Sequence, residues 1–486
     1  MVLMMLMAVA GLVTASADGG LLARFFSQGG VASYVASAVI ALGILIFIHE
    51  LGHFLVAKGV GVGVERFSLG FGPRLLSVRH RETEYCVSAV PLGGYVKMVG
   101  EEAQGEELVH PTVEAADALR ADRSKWFSLK PLWARTLIVL AGPGMNFFLA
   151  AAIFALIFMT AGRPILPATV GRVQPGSPAA AAGLETGDRV VRVDGQPVTA
   201  WEELLARVQR SQGRSLVLSV ARDDAPREVT VTPRLAEGRT VFGEPTEVWD
   251  LGITPYLPPR IGEVLPGSPA ARAGLQGGDR VVALDGRPIG TWDELAETIH
   301  RRPGRTVRLT LERAGAQLDV EVVPELVRDR TPLGEEIQQG RIGIAPATTL
   351  VYRRVNLLVA VGQGIRQTWE VTYRTLQALW KLVTGTIPAS NLGGPLQIGM
   401  VAGQQAQQGL VNYAFFVALI SVNLAILNLL PVPILDGGHL LFFAIEVVMG
   451  KPLSLRKREL AHQVGLALLI LLMGFAFWND LVRFFE

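Results

Sequence analysis

The sequence predicts a polytopic α-helical membrane protein with four transmembrane helices, a small cytoplasmic-side β-hairpin or sheet, and two extracytoplasmic α+β modules. Three observations carry that prediction. Only 18% of the 486 residues are charged and 50% are hydrophobic, whereas soluble domains carry roughly 25% charged residues. The apolar residues gather in four runs long enough for a bilayer core about 30 Å thick, which needs about 20 helical residues. Residues 173–222 recur at 264–313 with 26 identities in 50 gapless positions, which is a duplication. Lys plus Arg (45) against Asp plus Glu (43) leaves +2, no electrostatic footprint for nucleic acid. The single cysteine, Cys86, excludes an intrachain disulfide or a thiolate cluster, so a metal would need His and carboxylate ligands.

Residues 1–28 read as a leader or an over-long start. Met1–Ala17 is apolar and closes on Ala15-Ser16-Ala17, an A-x-A-like cleavage pattern, but it lacks a cationic n-region. Residues 29–161 form a first membrane half with spans at Val31–Val56 and Thr136–Ala161, and residues 411–486 a second with spans at Tyr413–Leu435 and Leu460–Trp478. The second span holds no charge, and none occurs between Lys381 and Asp436. Orientation follows from basic residues, which favour the cytoplasmic side. Eleven lie between Ala57 and Arg135, and Lys451, Arg456, Lys457 and Arg458 follow the third span. Both termini and the segment from about Gly162 to Gln408 are then extracytoplasmic.

Within that segment each repeat reads PGSPAA, AGL, GDRVV, DG-x-P, a Trp with a Glu-Leu helix start, and an alternating strand such as Val307–Leu311. Each resembles a PDZ domain in its bacterial arrangement, over 164–235 and 250–325. Such modules bind extended peptides or protein termini beside a strand; rigid spacing is the plainer alternative. Residues 353–382 mix apolar and charged positions at helical spacing around Trp369, Tyr373 and Trp380, as in a helix at the membrane surface or against the bundle. Packing on the second repeat is equally compatible.

The chemistry begins at His49-Glu50-Leu51-Gly52-His53. Two His four residues apart share a helix face and can hold one Zn²⁺, with Glu50 beside it as general base. Ionisable groups in an apolar span are costly without a partner or a watery cavity, which raises the weight of this HExxH. Asp436 is the candidate third ligand. It follows Asn428-Leu429-Leu430-Pro431-Val432-Pro433-Ile434-Leu435, where the prolines break a helix. His49 lies roughly 27 Å along the first span at 1.5 Å per residue, and Asp436 a comparable distance along the third, so the ligands share a depth near the cytoplasmic face. Two His and one carboxylate leave an open position for water, so His439 is assigned a supporting role. Glu84–Val90, turning at Pro91–Gly94 into Tyr95–Val99, reads as a hairpin whose edge could pair with an unwound peptide. Tyr85, Val87 and Tyr95 are therefore candidate substrate-binding residues, together with Asn428 at the helix break.

The HExxH, the N-x-x-P-x-P-x-L-D-G, Gly70-Phe71-Gly72-Pro73, Pro91-Leu92-Gly93-Gly94-Tyr95-Val96-Lys97 and the tandem PDZ-like repeats together resemble the site-2 protease family, from about Val31 onward. The resemblance implies an intramembrane zinc metalloprotease in the bacterial inner membrane. It also implies that the substrates are single-pass membrane proteins, namely an anti-sigma factor already cut by an outer protease, and remnant signal peptides. A non-catalytic PDZ scaffold with a structural metal, and a zinc carrier, are the rival readings.

Overall fold

A computed structural model describes residues 31–100, 122–240, 244–330, 336–347 and 350–485; the leader expected over Met1–Gln28 lies outside them. Two compact units result, one from the residues up to Gly162 together with those from Arg354, the other from Arg163–Arg353.

The first unit contains helix α1 (Val31–Gly59), strands β1 (Val64–His80) and β2 (Thr83–Met98), and helices α2 (Leu132–Thr160), α3 (Leu357–Val383), α4 (Pro395–Gln407), α5 (Leu410–Asn428), α6 (Asp436–Met449) and α7 (Leu455–Phe485). By length and composition, α1, α2, α5 and α7 can cross a membrane. A helix apolar on all sides can exist only in a core or a bilayer. α2 is central, packed on α1, α3, α5 and α6, and its Ile153, Phe154 and Phe158 join Leu45, Ala418 and Val422 in one buried cluster. α3 covers the segment expected to be amphipathic. Gly364 sits against Ala151 and Ala155 of α2, while Ile365, Trp369, Tyr373 and Trp380 remain exposed.

Two expectations are corrected here. The span read as Tyr413–Leu435 ends at Asn428, because Pro431 and Pro433 offer no N–H to continue the helical ladder. The chain turns and restarts, so Asp436 opens α6 rather than closing a span. The hairpin read between Glu84–Val90 and Tyr95–Val99 also pairs differently. Residues 84–87 are flanked on one side by 66–69 and on the other by 76–79, while Tyr95, Val96 and Lys97 pair with Ser68, Phe67 and Arg66. The stretch around Arg66–Leu69 thus lies between the two segments expected to meet.

In the second unit each repeat has a four-stranded sheet, Gln196–Pro197, Arg189–Val193, Leu216–Arg222 and Ala225–Val231 in the first, and Arg287–Pro288, Arg280–Leu284, Val307–Arg313 and Ala316–Val322 in the second. Helices Trp201–Ser211 and Trp292–His300 cover them, burying Leu204 and Val208 in one repeat and Leu295 and Ile299 in the other. Asp194-Gly195 and Asp285-Gly286 turn the chain with both residues at positive φ, as tight two-residue hairpin turns require. Asp188 accepts two hydrogen bonds from Arg222 (2.7 and 2.8 Å) and Asp279 two from Arg313 (both 2.7 Å), tying the loop before each sheet to its third strand. Ile253–Pro255 pairs with Val170–Val173, and Ile344–Pro346 with Ile261–Val264. Residues 250–255, assigned by the duplication to the second repeat, therefore complete the first. Arg163–Ile165 pairs with Val351–Arg353, joining the two ends of the unit in a short stem.

Candidate metal centre

Four-residue spacing on α1 puts His49 and His53 one above the other on a single face, 7% and 8% exposed. Their Nε2 atoms are 3.2 Å apart. Asp436, from the first turn of α6, completes a triangle, with Oδ2 3.1 Å from His49 Nε2 and Oδ1 3.6 Å from His53 Nε2. The carboxylate stands at a helix N-terminus, where the dipole favours negative charge. Gly437 lets the preceding loop fold onto that terminus, since a Cβ there would lie 2.2 Å from Leu430 O.

α2 backs the two rings. His53 Nδ1 is 2.8 Å from Ile138 O, so the ring donates there and leaves its Nε2 lone pair facing His49. One turn along, Gly142 is the only residue type that fits, because a Cβ would lie 2.3 Å from His53 Nε2 and 2.8 Å from His49 Cε1. A further turn on, Asn146 Nδ2 lies 3.3 Å from His49 Nδ1. Sequence reasoning missed Asn146 and Gly142, although an Asn within an uncharged span was a signal.

The donor set fits zinc. Tetrahedral coordination at about 2.0–2.1 Å puts ligand atoms about 3.3 Å apart; here the two Nε2 atoms are 3.2 Å apart, and one carboxylate oxygen of Asp436 lies 3.1 Å from His49 while the other lies 3.6 Å from His53. Despite its nearness to His49, Asp436 Oδ2 receives no well-directed hydrogen bond. A buried carboxylate oxygen in that state calls for a cation.

A cleft of about 410 Å³ opens on the triangle, lined among others by Glu50, Gly94, Tyr95, Asn428, Asp436 and His439. The backbone of Gly94 passes close to Glu50, whose Cγ would lie 3.1 Å from a Cβ added there. Tyr85 and Val87 do not line the cleft. Tyr85 packs on Phe54 and Phe67 with ring centroids at 5.9 and 6.2 Å, and Val87 is paired on both sides, to Leu69 and to Leu76. As interior positions of the sheet they offer no edge to a peptide, which corrects their expected role.

The profile of Peptidase family M50 matches residues 37–472, and the chain belongs to that family; it is a zinc metalloprotease of the site-2 type. Among its relatives, the Regulator of sigma-E protease RseP of Escherichia coli (strain K12) is 38% identical over 460 residues, covering 92% of this chain and 98% of that one. The Protease RseP of Yersinia pestis is 38% identical over 462 residues with the same coverages. A protein of Neisseria meningitidis serogroup A, provisionally named a zinc metalloprotease, is 37% identical over 456 residues, again over 92% and 98%. A solved PDZ domain of the SdrC-like protein of Listeria innocua is 22% identical, covers 19% of this chain and 94% of that domain, and gives a TM-score of 0.16. Membership decides for an enzyme over the scaffold and carrier readings.

Proposed function

We propose that His49, His53 and Asp436 hold Zn²⁺ and that Glu50 is the general base of an intramembrane endopeptidase acting on single-pass membrane proteins. The convergence of two buried His and the part-buried Asp436 beside Glu50, among helices long and apolar enough to span a bilayer, carries this reading. Zinc bound there supplies a Lewis acid for the peptide carbonyl and lowers the pKa of a water toward about 7. Glu50 takes the proton from the attacking water and delivers it to the leaving amine. A helical substrate hides its carbonyls in i→i−4 bonds and has to unwind first. Gly94, Tyr95 and Val96 pair on one side only among the described residues, with Leu69, Ser68 and Phe67, so their other edge, beside the cleft, can take an unwound segment as an added strand. The Asn428 amide supplies a further contact to that segment.

Basic-residue asymmetry supports an inner-membrane orientation with both termini and the repeats extracytoplasmic and the site near the cytoplasm. The repeats then act as a filter, refusing substrates that keep a bulky outer domain and admitting shortened ones, an anti-sigma factor or a remnant signal peptide among them.

Glu50→Gln is expected to retain zinc and lose turnover, while removing zinc with a chelator abolishes cleavage of a single-pass substrate reversibly; cleavage by metal-free enzyme would sink the reading. N–H groups alternate between the two edges of a strand, so one of Tyr95→Pro and Val96→Pro should slow cleavage of a helical substrate with zinc retained. Equal rates for both variants and the wild type would remove strand addition. Replacing residues 167–350 by a short turn should admit full-length substrate; if only shortened substrate is then cut, the filter idea is wrong.

A further inference from the structure

His53 and His49 face the same wall, α2, but their Nδ1 atoms meet different groups. Ile138 O can only accept, so the His53 proton must sit on Nδ1. His49 Nδ1 meets the amide nitrogen of Asn146 at 3.3 Å. An amide nitrogen can only donate, which would force the His49 proton onto Nε2, the atom pointing at Asp436 and His53. A ring protonated there has no lone pair for a metal. Meanwhile Asn146 Oδ1 is fully buried and has no hydrogen-bond partner, and the residue is 0% exposed.

A half-turn of the amide exchanges its oxygen and nitrogen while leaving every other atom in place, and only the hydrogen-bond network decides between the two arrangements. We propose that Asn146 turns Oδ1 toward His49, accepts its Nδ1–H, and thereby holds the ring in the tautomer that presents a bare Nε2 to the metal. Both imidazoles are then fixed by acceptors on one face of α2, Ile138 O and Asn146 Oδ1, with Gly142 between them. Asn146 is held in register by its own backbone, whose carbonyl accepts a hydrogen bond from Ser421 on α5 at 2.8 Å. It is a positioning residue, acting on the metal through His49, and the inference rests on the zinc reading given above.

The test uses full-length protein in detergent and reads zinc affinity by competition with a chelator. Outer partners of ligating His typically change metal affinity about 10–100-fold. Asn146→Leu, of similar size but without an acceptor, should bind zinc that much more weakly. Asn146→Asp, a pure acceptor, should stay near the wild type. Wild-type affinity in Asn146→Leu, or an equal loss in both variants, would overturn the proposal, because a packing role penalises the buried charge at least as much as the apolar side chain. A second measurement needs no substitution at 146. ¹⁵N spectra of histidine-labelled, zinc-loaded wild type, assigned with His49→Gln, should show His49 protonated at Nδ1 and metal-bound at Nε2; a bare Nδ1 with a protonated Nε2 would also overturn it. Failure of the zinc reading itself looks different, since the wild type would then bind no zinc.

Discussion

Asp188 and Asp279 in the outer unit and Asp436 among the membrane helices are three carboxylates held largely out of water, and they are built to opposite ends. Asp188 and Asp279 are 0% and 1% exposed. Each faces an arginine through two hydrogen bonds and takes a third from a backbone amide, Glu185 N at 2.9 Å and Gln276 N at 2.8 Å. Both oxygens of each carboxylate are thus answered within the fold. Asp436 faces two imidazoles and keeps an oxygen without a directed donor. Burial alone therefore does not mark a functional carboxylate. What separates the two regions is whether the protein completes the group or leaves it for something else to complete.

The largest effect that tests this contrast is Asp436→Asn. Cleavage should fall by about 10²–10⁴-fold or more, the scale on which single catalytic groups act, and zinc should be lost, while the membrane helices melt no earlier than in metal-free wild type. A carboxylate withdrawn from water without a full set of partners carries a desolvation cost that its neutral amide isostere does not. Early melting would mean that Asp436 is structural like the other two.

Next in size is Asp279→Asn, which leaves Arg313 without its buried counter-ion, followed by Asp188→Asn, where Arg222 keeps only the exposed Glu185 at 2.6 Å. A cost of about 3 kcal/mol to the affected repeat is expected, the low end for a buried pair because the arginines keep some contact with water. It should be read as faster amide exchange confined to that repeat, with cleavage of shortened substrate unchanged. The pH dependence follows from the same pair. Burial raises the Asp188 carboxyl, but Arg222 and the Glu185 amide outweigh it and hold it below the ordinary range. At Asp279 the Arg313 hydrogen bonds lead and likewise hold it low. A group depressed in the folded state contributes its stability in full above its unfolded value, about 3.9, and loses it as pH falls through the folded value. Protection of the amides in both repeats, relative to the unfolded chain at the same pH, should therefore fall below about pH 4. Equal protection at pH 7 and pH 3 would contradict the assignment.

The smallest effect distinguishes the repeats from each other. Thr291 caps the helix Trp292–His300 in a reciprocal arrangement with Glu294, whereas Trp201–Ser211 follows Ala200 with no side-chain cap. Thr291→Ala should cost the second repeat about 1 kcal/mol, measurable as a selective rise in its exchange, and should leave the first repeat unaffected.

The spans, the HExxH, the aspartate after the prolines and the duplication are all legible in the sequence, because each is a local pattern of composition or spacing. What could not be read depends on partners far along the chain. Phe67 and Ser68 lie outside the hairpin expected from the sequence, yet they form the middle of a sheet because residues 84–87 and 95–97 close on them from both sides. Ile253 falls within the bounds read for the second repeat and instead packs, partly buried, against the core of the first. Asn146 is one polar residue in an apolar helix, and its meaning appears only when α1 brings His49 alongside.

The stem formed by Arg163–Ile165 and Val351–Arg353 has a consequence for how such a chain can change over evolutionary time. Paired strands lie about 4.8 Å apart, so everything between Ile165 and Val351 leaves and re-enters the chain at neighbouring points, as a cassette would. Insertions whose ends meet in this way disturb their host little, and long excursions add little closure entropy. A gene encoding this architecture can lose one repeat, gain a third, or exchange the pair for an unrelated sensor, while the residues that cut the peptide bond stay as they are.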